Sequence, residues 1–201
     1  MSMSIDVKTD NQSNNPILMM IRGVPGGGKS YIATKLQESL GKERVVILDP
    51  DAIHQTSSEY QNFSQALTRE DVNIKLHPYR FLRAKAHEGI TAHKIIIWNQ
   101  GFIDLDGFSK TVNNLQGYAT DHGTRLPTLV VEVEIEGNIA KQRVAERAAQ
   151  GGHDVPDEAF GRFIGNYASF ADKGYTTVTV NGQDDVAVSV STIIAALEKL
   201  Q

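Results

Sequence analysis

Apolar residues along this chain come in short blocks, and the spacing between blocks changes from continuous runs to helical periods. Residues 17–21, 45–48, 94–98, 128–135 and 175–180 form five apolar or β-branched runs bounded by turn formers. Such runs predict strands buried on both faces. Between the first two lies a helical stretch over 29–40, with Ile32, Ala33 and Leu36 on one face and Gly41 as its stop. Residues 51–94 read as mostly helical with an interruption near Pro78, and 108–122 and 138–150 as further helices. Pro156 opens another helix, and an amphipathic segment through Ile193 to Leu197 closes the chain. Strands alternating with helices predict right-handed crossovers and an α/β fold. The expectation is a five-stranded, mainly parallel sheet with helices on both faces and a helical insertion.

Composition changes this picture little. The 201 residues suit one domain, here 16–201, preceded by a polar tail over 1–15 that is expected to be mobile. No apolar run approaches the roughly 20 residues needed to cross a bilayer. The first residues lack the basic and apolar regions of a signal peptide. The chain has no cysteine, which removes disulfides, thiolate metal sites and thiol nucleophiles, and fits a cytoplasmic location. A net charge of −4 excludes a generally basic nucleic-acid surface but leaves room for a local basic site.

Candidate chemistry begins directly after the first strand. Gly23-Val-Pro-Gly-Gly-Gly28-Lys29-Ser30 matches G-x-x-x-x-G-K-[ST], between a buried strand and a helix as that motif requires. Glycines let backbone N–H groups turn toward phosphate oxygens, and the next helix adds its positive end. Lys29 supplies a point charge for the β and γ phosphates, and Ser30 a hydroxyl for Mg²⁺. The nucleotide cradle is therefore Gly23, Pro25, Gly26, Gly27, Gly28, Lys29, Ser30 and Tyr31, with ATP and Mg²⁺ as the expected cofactors. No Asn-Lys-x-Asp guanine-reading tetrapeptide occurs, which leaves a small phosphotransferase as the leading class.

Asp49-Pro50-Asp51 follows the second strand, and Asp51 falls 22 residues after Lys29. Parallel strands return the chain to the same sheet edge, where ligands bind in open α/β sheets. Asp51 is the candidate base that takes a proton from an acceptor hydroxyl, and Asp49 the candidate holder of Mg²⁺ waters or substrate. Either could instead cap the next helix. Arg143 and Arg147, four apart on one helix face, precede Gly151-Gly-His-Asp-Val-Pro156 and then Arg162. Arginines on a closing segment suit the charge spread over a transferring phosphoryl group. His153 reads equally as a loop hydrogen bonder or a substrate contact. Residues 75–94 carry Lys75, Arg80, Arg83, Lys85 and Lys94 against only Glu88. Tyr79, Leu82, Ala86 and Ile90 mark the expected buried stripe there, and Arg80, Arg83 and His87 an adjoining basic stripe for an anionic acceptor.

The phosphate loop, the Asp49-Pro50-Asp51 turn and the segment Arg143…Arg147…Gly151-Gly-His-Asp-Val-Pro156…Arg162, in this order, resemble the zeta-toxin-like family of P-loop kinases. The likeness covers residues 17–165, and its Gly-Gly-His-x-Val-Pro segment is the distinctive part. It implies a kinase-like fold and ATP/Mg²⁺-dependent phosphorylation of a sugar hydroxyl, in the toxins that of UDP-N-acetylglucosamine. It also implies Asp51 as catalytic base, Lys29 and Ser30 as phosphate and metal contacts, and Arg143, Arg147 and Arg162 as an arginine-bearing lid. Where the toxins carry a glutamate in a Glu-Gly-Thr type turn, this chain has Trp98-Asn99-Gln100-Gly101. Asn99 or Gln100 is then expected to contact a different acceptor, or the same one differently. The leading expectation is a kinase that acts on a hydroxyl of an anionic small-molecule acceptor such as a nucleotide sugar, with an antitoxin-like protein as a further partner. The competing expectations are a polynucleotide 5′-hydroxyl kinase and a nucleotide-switched interaction module.

Overall fold

A computed structural model of the chain describes residues 15–152 and 154–200. The expected tail, up to residue 14, and the candidate His153 lie outside these. The strands are β1 (Ile17–Gly23), β2 (Val45–Leu48), β3 (Ile95–Asn99), β4 (Thr128–Glu134) and β5 (Thr176–Asn181). The helices are α1 (Lys29–Leu40), α2 (Ser58–Arg69), α3 (His77–Thr91), α4 (Leu105–Asp121), α5 (Gly137–Ala149), α6 (Asp157–Asn166) and α7 (Val186–Glu198). The strands form one sheet in the order β2-β3-β1-β4-β5, and every pairing is parallel.

Continuous apolar runs are needed here because both faces of the sheet are covered. In β1, Ile17, Met19 and Ile21 face one core with Leu36 of α1 and Ile193 and Leu197 of α7. The alternate residues Leu18 and Met20 face a second core with Leu82, Ala86 and Ile90 of α3 and Phe108, Val112 and Leu115 of α4. All seven residues of β1 are buried. The period-2 alternation of side chains thus feeds two apolar layers from one run.

In the 51–94 region a short 3₁₀ turn at Pro50–Ala52 precedes α2, and the expected interruption near Pro78 falls at 70–76. Pro78 sits in the first turn of α3, where its missing N–H is no loss. Leu82, Ala86 and Ile90 form the buried stripe as expected, but Tyr79 is 43% exposed. One turn beyond Arg83, the His87 ring stacks on Tyr118 of α4 at 3.7 Å. Packing on α4 therefore claims part of the face that the sequence offered as a basic stripe.

Arg22, the next-to-last residue of β1, is fully buried beside its register partner Glu132 of β4, with Nη1 2.5 Å from Oε1. Nε and Nη2 donate to the Phe102 carbonyl, and Nη1 also donates to Ala168 O at 2.8 Å. Its guanidinium lies over the Phe170 ring at 3.5 Å and the Tyr167 ring at 4.3 Å. Glu132 in turn accepts from Ser169 Oγ and Phe170 N. One buried ion pair thus fastens the strand that leads into the phosphate loop to the segment leaving α6. No helix among the described residues is long and apolar enough to cross a membrane.

Candidate active site

Parallel strands deliver their C-terminal ends to one edge, and a cavity of about 570 Å³ opens there. Its walls come from the loop after β1, the ends of β2 and β3, Tyr79 of α3, the arginine face of α5 and the inner side of the 154–163 stretch.

The loop 23–30 takes its shape from backbone that only glycine adopts at low cost. Gly26 has φ 81°, and a Cβ there would sit 2.2 Å from the Ala140 carbonyl oxygen of α5. Gly28, at φ 91°, caps α1 without any side chain, which leaves the first N–H groups of that helix open to the cavity. Pro25, Gly26, Gly28, Lys29, Ser30 and Tyr31 line the cavity, whereas Gly23 and Gly27 are buried in the base of the loop. Lys29 Nζ folds back to donate to Val24 O at 3.0 Å. Burial pulls its pKa down to about 8, against the upward pull of Asp49 and Asp51 and with a further lowering by Arg147.

Asp49, Ser30 and Asn99 meet at one corner. Asn99, only 4% exposed at the end of β3, donates from Nδ2 to Ser30 Oγ at 2.9 Å and to Asp49 Oδ2 at 2.6 Å. Ser30 Oγ donates to Asp49 Oδ2 at 3.3 Å, and Asp49 Oδ1 accepts the Asp51 N–H, capping the short turn. The Asn99 Oδ1 atom is buried with no hydrogen-bond partner. The Ser30 hydroxyl beside the Asp49 carboxylate makes a hard-oxygen donor pair. Mg²⁺ is held in this way, by one or two protein oxygens together with phosphates and water. Among the described residues no group of three or more His, Asp or Glu side chains could hold an ion by itself, so the corner suits a cation that arrives with phosphate. Asp51 lies on the cavity wall, exposed, and its carboxylate makes no hydrogen bond among the described residues.

On the opposite side Arg143 and Arg147 both line the cavity, as their four-residue spacing predicts. Arg143 Nη1 donates to Gly182 O after β5 at 2.8 Å. Gly152 N–H donates to Arg147 O, and a Cβ on Gly152 would meet Arg147 Cγ at 2.6 Å. Gly152 therefore closes the end of α5 tightly against Arg147.

Three expected contacts are placed elsewhere. Arg162 is exposed on α6 and does not line the cavity; Phe163, one residue on, does. Arg80 and Arg83 also lie outside the lining, and α3 presents Tyr79 instead. A one-residue step on a helix turns a side chain by 100°, so a stripe read one position off misses the wall. Gln100 does line the cavity, with its Oε1 accepting from Trp98 Nε1 at 3.0 Å. The sequence reading missed Tyr79 as a wall residue, Phe163, and the Arg22–Glu132 pair. The last had a visible signal, since Arg and Glu each interrupt a run that is otherwise buried on both faces.

Comparison with known proteins agrees with this architecture. Residues 18–170 match the AAA domain family. No curated protein sequence matches the chain. Among solved structures it is similar to a candidate kinase from Chloroflexus aurantiacus, with a TM-score of 0.65 and 18% identity over 93% of this chain and 98% of that one. A gluconokinase from Sinorhizobium meliloti matches with a TM-score of 0.56 and 17% identity, covering 92% and 94% of the two chains. A deoxyadenosine kinase from M. mycoides matches with a TM-score of 0.53 and 15% identity, covering 90% and 99%. The fold is that of P-loop kinases.

Proposed function

The chain belongs to the AAA domain family, and from the site described above we propose that it is an ATP-dependent kinase that transfers the γ-phosphate to a hydroxyl of a small molecule. The observation that carries this reading is the meeting of Lys29, Asp51, Arg143 and Arg147 on one cavity, together with the Ser30–Asp49–Asn99 corner. The loop N–H groups and Lys29 bind the triphosphate. Arg147, close enough to Lys29 to lower its pKa, offsets charge on the transferring group. Asp51 accepts the proton of the acceptor hydroxyl as its oxygen bonds to the γ-phosphorus and the bond to the β-bridging oxygen breaks, releasing ADP. Ser30 and Asp49 would hold Mg²⁺, which would supply charge neutralisation of the phosphates.

The zeta-toxin-like reading is the finer form of this proposal. It is supported by Arg143 and Arg147 on the cavity and by the order of motifs, and it carries with it a cytoplasmic setting and a neutralising protein partner. The polynucleotide reading gains no support, because Arg80 and Arg83, which would follow a strand's phosphates, do not line the cavity. Incubation with γ-labelled ATP tests the proposal. The wild-type chain should label an acceptor, and Lys29→Ala should not; equal labelling by both would remove the assignment.

A further inference from the structure

We infer that the acceptor is an alcohol without an anionic group, which presents a ring or apolar face to Tyr79 and Phe163. The inference rests on the kinase reading above and sets its acceptor apart from the anionic nucleotide sugar that the zeta-toxin likeness implies.

The cavity lining divides by element: the phosphate loop and α5 bound one half, and the ends of β2 and β3 with Tyr79 and Phe163 the other. Among the described residues the cations on the lining are Lys29, Arg143 and Arg147, all on the phosphate loop and α5. That half is where a triphosphate binds. The half under β2 and β3 carries Asp49 and Asp51 and no cation. A phosphorylated acceptor seated there would place a second polyanion beside the γ-phosphate and two carboxylates, with neither an arginine fork nor a charged partner to hold it.

What that half does offer is neutral. Tyr79, 43% exposed, enters from α3, and Phe163 enters from α6 against Gly101, whose added Cβ would meet the ring at 3.0 Å. Tyr79 is exposed and Phe163 half-buried, and both line the cavity, so each offers ring surface there. Gln100 keeps both amide N–H donors, because its single side-chain bond uses Oε1. Apolar walls with a few neutral hydrogen-bonding groups are how uncharged small molecules are held and oriented.

The test is a fractionated acceptor screen. A cell metabolite extract is passed over an anion exchanger, and the retained and unretained pools are each incubated with the enzyme and γ-labelled ATP. Products are read by mass spectrometry, with Lys29→Ala as the blank. The expected result is a Lys29-dependent phosphorylated product from the unretained pool. Tyr79→Ala and Phe163→Ala should each raise the KM for that acceptor at least tenfold and leave the KM for ATP within twofold. A product arising from the retained pool overturns the charge argument while leaving the kinase reading intact. An unretained acceptor whose KM ignores both aromatic substitutions overturns the ring contact. No Lys29-dependent product from either pool overturns the kinase reading itself, and this inference with it.

Discussion

The Asn99 amide lies 2.6 Å from the Asp49 carboxylate, with Nδ2 toward Oδ2. The carboxylate only accepts, so it fixes which end of the amide faces it. The same nitrogen reaches Ser30 Oγ, and Oδ1 is thereby left buried and unpaired. A neutral group thus stands where a second carboxylate would repel Asp49. Asn99→Asp should lower the melting temperature in the absence of divalent ions, by the equivalent of about 1–3 kcal/mol. Added Mg²⁺ with ADP should recover more of that loss than it adds to the wild-type chain. Calorimetry with and without the ion checks this; equal melting of the two proteins without Mg²⁺ would show that Asn99 does not organise the corner.

Lys29 gives a pH dependence with a defined sign. Its pKa of about 8 in the folded, unliganded chain lies below the ordinary 10.5. Between these values the unfolded chain binds more protons, so this group makes stability rise with pH across that window. Triphosphate binding favours the charged ammonium and has the opposite demand. ATP affinity should fall as pH rises through about 8, and binding near pH 8.5 should take up a proton. Titration calorimetry in buffers of different ionisation enthalpy reads that uptake. Lys29→Ala should show neither the uptake nor the affinity change.

Asp51 is exposed and its carboxylate makes no hydrogen bond among the described residues, which separates its chemistry from its structure. Asp51→Asn should leave stability within about 0.5 kcal/mol. ATP binding should be unchanged, and transfer should fall by about 10²- to 10⁴-fold. Unaltered single-turnover transfer would assign the proton to another group.

How much of this was legible beforehand follows from where each residue sits. β1 and α1, like the loop between them, were readable because a doubly buried strand, glycine backbone and a helix start each leave a local mark. Arg143 and Arg147 were readable because a single helix sets their spacing. Tyr79 and Phe163 were not, since which face of α3 or α6 meets the cavity depends on packing against other elements. Asn99 was singled out as an acceptor contact, yet it reaches Ser30 and Asp49, residues 69 and 50 positions away. Only the parallel register of β1, β2 and β3 brings those three together.

Arg147→Ala should reduce transfer by about 10²- to 10³-fold, the usual loss when one group that stabilises developing charge is removed. Arg143→Ala should weaken ATP binding more than it slows the chemical step, because its guanidinium is partly engaged by Gly182 O at the side of the loop. Separate measurement of ATP affinity and single-turnover rate distinguishes the two. The assignment fails if the two substitutions have interchangeable effects.

The Arg22–Glu132 pair supports the last prediction, which links stability to the cover of the site. Arg22 is fully buried, and removing only Glu132 would leave its charge facing carbonyls and rings alone. Glu132→Leu should therefore cost about 3–5 kcal/mol, while Arg22→Met with Glu132→Leu should recover much of it. Arg22→Lys keeps the charge but loses the fork that reaches Phe102 O and Ala168 O together. It should loosen the 167–170 segment at the foot of α6, and with it the wall that carries Phe163. Hydrogen exchange would then rise at 167–170 before it rises in β1 or β4. Uniform acceleration across the sheet would mean that the pair supports the core alone and does not hold α6 over the cavity.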